Sequence, residues 1–538
     1  MKVLKKIVMI ITSVIMAVTF SSCGLFEVLG LLFGGYFTPE ISFEYELTEE
    51  DLTEFNGYVK DVEKYGMDGK NVFALNTALS NMLDKLEYIQ AQYFAAYIGY
   101  CLDQSSAEAI ADYTEAETML TSARMDYLDV LKKLAEGSKI KDQLFPGWTE
   151  EDFAFLFVDN EKISALQLEN SEITRDFYAL EENETWSANV NELYVDFVEN
   201  NQLIAAEYGY DNYYEYSSTE EFGRTYTPEQ RATFRSYVAK YILPLYVDAC
   251  EAQSSAHSAL NDLQKVEYSA VFSNRQYIYD YINTYTGSLN DKMNAMFERK
   301  NATIFANGEN ALQGAFVNYI GYYGQPFAYF GPGYQDNFTV VHEMGHYTSL
   351  YHFDMGTLPY DLAETHSQGN EWMFIAYLEE KLNKGVFDVI RADRLVSGLG
   401  AIILSTVVDH FEELVYTAET PVKANEYQAL MATVSEQYPN LERILEEKGV
   451  YSPFEYAQLV TIPSPVYYLN YATSELASMS LYSIAKTSGY KTAQTAFTKI
   501  QEGVSADADF VTAVNGAGLL NPFTETTYTK ITSTFFTK

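Results

Sequence analysis

The stretch from Glu40 to Phe145 carries no proline. Apolar residues recur through 74–102 and 107–134 at the three-and-four spacing of a helix face. Strand side chains alternate with a period of two, so this pattern predicts long antiparallel helices rather than sheet. Start signals agree: Ser105 and Glu108 have capping-box spacing, and Thr227, Pro228 and Gln230 combine a cap, a first-turn proline and a box partner. Residues 232–247 continue as a helical apolar stripe expected to end around Pro244. Strand signals are sparse. Residues 315–323 and 327–330 are rich in aromatic and β-branched side chains, broken by Gly321, Gly324, Gly331 and Gly333. They predict a small sheet with an edge strand able to pair with an extended peptide.

The chain has 538 residues, 47% of them hydrophobic, enough for two or three domains or one large enzyme. Net charge is 35 − 75 = −40. Such a surface repels phosphate backbones and anionic headgroups, which argues against nucleic acid as a partner. Cys23, Cys101 and Cys250 show no CxxC spacing, which excludes a disulfide scaffold and a thiolate zinc finger. Any metal must therefore be held by histidines and carboxylates.

The first residues read as an export signal: Lys2, Lys5 and Lys6, an apolar run over 7–20, then Ser21-Ser22-Cys23. The last three resemble a lipobox, with Phe20 where the pattern usually has Leu. Residues 1–22 are thus expected to be a lipoprotein signal peptide, Cys23 the acylated terminus and 23–40 a tether. The expected location is the bacterial cell membrane, lipid-anchored and facing outside the cytoplasm. An N-terminal helical region is expected over 41–200 and a catalytic region over 201–538.

His342-Glu343-Met344-Gly345-His346 matches HExxH. With six histidines in the chain, a chance match has an expectation on the order of 0.01. A spacing of four puts both imidazoles on one helix face, able to reach one tetrahedral ion, with Glu343 beside the adjacent water. Asp336 and Asn337 are the candidate caps of that helix.

Zinc needs a third protein ligand and an open position. His352 stands six residues after His346, but on a continuing helix it would point about 240° away. Glu364 is the other candidate. On a second helix Glu364, Ser367, Gln368 and Glu371 form one polar stripe that would supply a ligand and its supporting groups. Asp361-x-x-Glu364 also has capping-box spacing, so a helix-start role for Glu364 stays open.

Together, the HExxH motif and Glu364-Thr-His-Ser367-Gln-Gly-Asn-Glu371 resemble the thimet oligopeptidase and oligoendopeptidase F family of zinc peptidases. The likeness extends to 205–216, 224–229 and 467–475, covering roughly residues 200–485. It implies a mainly α, two-lobed molecule with a small sheet beside the HExxH helix and a deep channel for short unfolded peptides. It further implies one Zn2+ per chain on His342, His346 and Glu364, with Glu343 as catalytic base and Ser367 and Glu371 as supporting groups. Tyr468 and Tyr471 are implied as donors to the tetrahedral intermediate, a role a phenol can fill on chemical grounds. The stretch Thr461-Ile-Pro-Ser-Pro465 lacks a histidine that many relatives carry. The resulting expectation is a membrane-tethered zinc endopeptidase. Its rivals are a peptide-binding lipoprotein and a relative that has lost catalysis.

Overall fold

The computed structural model describes residues 40–181, 183–351, 358–439, 441, 445, 452–503 and 508–536. The signal segment, Cys23, the tether to residue 39 and His352 lie outside them. The described chain is mainly helical, with one three-stranded sheet. It divides into two compact units. One holds the described residues up to Asn160 together with Lys292–Gln335; the other holds Glu161–Asp291 and the described residues from Asp336 on. The chain passes from the first unit to the second at Asn160, and returns to the first for Lys292–Gln335. Within the second unit Asn201 Nδ2 donates to the Tyr416 hydroxyl at 2.9 Å, and Gln202 Nε2 donates to Tyr416 O at 2.7 Å.

In the first unit, α1 (Glu49–Asp68), α2 (Val72–Leu102) and α3 (Ala107–Gly137) pack around Phe55, Val62, Met82, Leu120 and Leu134. Thr48 and Asp51 form a capping box at the start of α1, and Gly69, at φ 64°, ends it. The cap of α3 is one residue later than the expected Ser105–Glu108 box: Ser106 Oγ accepts from Ala109 N, while Ser105 bonds Asp103 Oδ1. The sheet has three strands, β1 (Thr303–Phe305), β2 (Ala315–Ile320) and β3 (Gln325–Phe330), in the order β1-β3-β2. β3 runs parallel to β1 and antiparallel to β2, with Val317 opposite Ala328. Every residue of β3 is buried. Residues 327–330 are thus the centre of the sheet, and the edge strand expected within 315–330 is β2 (Ala315–Ile320). β1 is too short for its alternation to be read.

In the second unit, α4 (Trp186–Glu207) is followed by α5 (Pro228–Tyr237), which carries the expected Thr227–Gln230 box. The stripe beyond it does not end at Pro244. A π-helical turn, Val238–Ile242, leads into α6 (Leu243–Ser258), so Pro244 sits in a first turn, where its missing N–H costs no helical bond. The site is built from α7 (Asn337–Ser349), α8 (Tyr360–Leu378), α9 (Lys384–Tyr416) and α10 (Leu469–Ser488). α9 is long and apolar enough to cross a membrane by composition, but it is largely buried in this unit. Cys101 and Cys250 are buried and form no disulfide among the described residues.

Candidate metal centre

Asp336 starts the motif helix α7: its Oδ1 accepts from Phe338 N and Thr339 N. α8 begins after Pro359, so Asp361 and Glu364 lie inside its first turns and Glu364 is not part of a cap. What lets α8 approach α7 is Gly345. A Cβ there would stand 2.4 Å from His366 O and 2.6 Å from Ser367 Cα, so the backbones meet where the motif has no side chain. Asn370 Nδ2 donates to Val341 O at 2.7 Å and ties the pair a turn earlier.

This approach brings His342, His346 and Glu364 together, their ligand atoms within 4.8 Å of one another. The two Nε2 atoms each lie 3.6 Å from Glu364 Oε2. Atoms bound about 2.0–2.1 Å from one tetrahedral ion are about 3.3–3.4 Å apart, so the three fit zinc with little movement. Ser367 Oγ donates to Glu364 Oε2 at 3.1 Å. Glu371 Oε1 lies 2.8 Å from His342 Nδ1, leaving Nε2 for the ion. Ser367 and Glu371 of the expected polar stripe thus each touch a candidate ligand. Beyond Glu371 the contacts continue to groups the sequence did not single out. Arg394 Nε is 3.0 Å from Glu371 Oε2, Arg394 Nη2 is 2.6 Å from Glu475 Oε2, and Trp372 Nε1 donates to Glu475 Oε1 at 2.9 Å.

Electrostatics separate the titrating groups. Burial, and then the carboxylates of Glu364 and Glu371, push the Glu343 carboxyl up to about 7 against the pull of His342. Its Oε2 is buried with no hydrogen-bond partner among the described residues. Burial works against charge on His342, but the Glu371 bond and the surrounding carboxylates outweigh it and carry the imidazole up to about 9. His346, without such a partner, is pushed down to about 4 by burial. Burial also opposes ionisation of Glu371, yet Arg394 and His342 hold it below the usual carboxylate range.

Of the tyrosines, Tyr471 faces this group. Its phenol is held well above its ordinary value by burial and then by Glu364, with Glu343 also contributing. Gln368 Nε2 reaches Tyr471 O at 3.4 Å. Tyr468 packs edge-on against Tyr456 and also touches the Tyr471 ring. The hydroxyl that meets a candidate ligand is that of Tyr467, which donates to Glu364 Oε1 at 2.5 Å. Tyr467 was not expected in the site. α10 begins only at Leu469, so helical spacing from Tyr471 says nothing about where residue 467 points.

Neither a family model nor a curated protein sequence matches the chain. Solved structures do match. PZ peptidase A, in a complex with an inhibitor, is 18% identical over 92% of this chain and 98% of its own, with a TM-score of 0.64. Oligoendopeptidase F from Enterococcus faecium is 14% identical over 90% of this chain and 96% of its own, with a TM-score of 0.51. A chain assigned to oligoendopeptidase F from Bacillus anthracis is 15% identical over 91% and 96%, with a TM-score of 0.64. The chain has the oligoendopeptidase F fold. Within that fold, residues 336–349 and 360–378 form the paired helices described above, and the helical class expected from the periodicity holds along the described chain.

Proposed function

We propose that this chain is a zinc endopeptidase that hydrolyses short unfolded peptides outside the cytoplasm, tethered by a lipid on Cys23. The observation that carries the peptidase reading is the convergence of His342, His346 and Glu364 beside the unpartnered Glu343 Oε2. Peptidases among the structures sharing the fold support it. His342, His346 and Glu364 would hold the ion, which would supply Lewis-acid polarisation of the scissile carbonyl and of a water. Glu343, poised near neutrality, takes the water's proton and delivers it to the leaving amine. Glu371 keeps the His342 tautomer, and Ser367 restrains Glu364. Tyr467 gives its one hydroxyl hydrogen to Glu364 Oε1 and steadies that carboxylate, while Tyr471 presents a phenol that stays protonated and can donate to the developing oxyanion.

Glu343→Gln tests this. The amide keeps the shape and loses the base, so zinc stoichiometry should stay at one while turnover of a fluorogenic peptide falls about 10³-fold. Loss of zinc, or turnover near that of the wild type, would reassign the residue. For the tether, a fatty-acid analogue should label the wild type and leave Cys23→Ser unlabelled. An unlabelled wild type would remove the anchor from the proposal.

A further inference from the structure

Tyr467 owes its place to the residue before it. Val466 is buried and adopts φ 59°, the left-handed region in which an L side chain crowds its own backbone. Asn301 is the other non-glycine residue with positive φ among the described residues; asparagine tolerates the region and a β-branched side chain does not. Such a conformation persists only where the surroundings over-determine it, and it concentrates at functional sites.

Here two buried side chains, a carboxyl and a guanidinium, hold both backbone groups of Val466. Its N–H donates to Glu412 Oε1 at 2.8 Å, and its carbonyl accepts from Arg224 Nη2 at 2.7 Å. The same Nη2 donates to Tyr467 O at 3.2 Å, and Arg224 Nε donates to Asn470 Oδ1 at 3.0 Å. Arg224 is itself fixed. It follows a π-helical turn, Ser217–Glu221, and Gly223 at φ 65°, and its N–H donates to Ser218 O at 2.8 Å. A carboxyl oxygen on the amide and a guanidinium on the carbonyl, both out of water, are strong restraints on the backbone at one residue.

We propose that Arg224 and Glu412 are positioning residues which lock Val466 in its left-handed conformation and so aim the Tyr467 hydroxyl at Glu364 Oε1. The proposal rests on reading His342, His346 and Glu364 as a peptidase centre. If Val466 relaxed to negative φ, the chain would leave the loop in another direction and withdraw the phenol from Glu364. Arg224 and Glu412 would then act on turnover through Tyr467, not through peptide binding.

The test uses the zinc-loaded full chain and a fluorogenic peptide. Tyr467→Phe and Arg224→Met should each lower kcat on the order of 10²-fold, with KM within about threefold. The double variant should fall no more than about threefold below the lower single, because both remove one function. Glycine adopts positive φ without strain, so Val466→Gly should restore at least about tenfold in the Arg224→Met background. Glu412→Gln, which keeps the accepting oxygen, should lose far less than Glu412→Leu. Losses that multiply in the double variant, or the absence of glycine rescue, overturn the proposal. If the wild type cleaves no peptide, the peptidase reading fails and the lock is judged without substrate. Hydrogen exchange over 462–470 should then speed at least about tenfold in Glu412→Leu and Arg224→Lys relative to distant helices, and unchanged exchange overturns it.

Discussion

At Gly345 a single hydrogen decides whether the metal centre can form. The two helices that carry the candidate ligands meet there, and a methyl group would sit 2.4 Å from a backbone oxygen that has no soft side chain to yield. Gly345→Ala should therefore push α7 and α8 apart. The expected cost is about 1–3 kcal/mol of unfolding free energy by urea titration, accompanied by weaker zinc binding as His346 moves from Glu364. An alanine variant with full stability and unchanged zinc affinity would mean that the helices have room to spare. The same scale explains the tyrosines. Tyr468 and Tyr471 stand three apart in sequence, yet residue 468 is the last before α10 and packs on Tyr456, while Tyr467 reaches Glu364 from the preceding turn.

Among the elements, α9 contributes most from farthest away. It supplies Arg394, whose guanidinium joins Glu371 to Glu475 and lies over the Trp372 ring. Gly398, one turn on, leaves space for the pair: a Cβ there would be 2.2 Å from Glu475 Oε1. Removing the cation leaves two buried carboxylates facing each other, so Arg394→Met should cost about 3–5 kcal/mol in denaturant unfolding. Because Glu371 orients His342, zinc affinity should also fall roughly 10–100-fold in competition titrations. The paired helices predict a proton balance as well. His342 is raised to about 9 in the metal-free site and must be neutral to bind an ion. At pH 7.5 zinc uptake should therefore release about one proton from this residue, and apparent affinity should rise with pH until about 9. The sign follows from the raised value: below it the proton competes with the metal, and above it the competition ends. Calorimetry in buffers of different ionisation enthalpy measures the release.

For the whole molecule the dominant physical quantity is the charge of −40. A field of that sign draws cations toward the surface, and it is screened beyond about 10 Å at 0.1 M salt. Cationic peptides should therefore show a higher kcat/KM than anionic peptides of equal length at low ionic strength, and the gap should shrink as salt is added. Equal salt dependence for both would remove long-range steering from the account. The two compact units divide this surface between them, and the ligand-bearing helices all belong to the second.

Periodicity, caps and one motif were local properties, so the sequence by itself determined the helices of 72–137, the Thr227 box, and the shared helix face of His342 and His346. Each depends on residues a few positions apart, where helix geometry alone fixes which side chains share a face. Only the tertiary structure decided the rest. Arg394 and Glu475 are 81 residues apart, Arg224 and Val466 are 242 apart, and nothing in their neighbourhoods marks them as partners. The π-turn before Pro244, the central place of β3 and the left-handed Val466 likewise arise because packing over-rules local preference, and the free energy to do so comes from burial and hydrogen bonding that no short window of sequence contains.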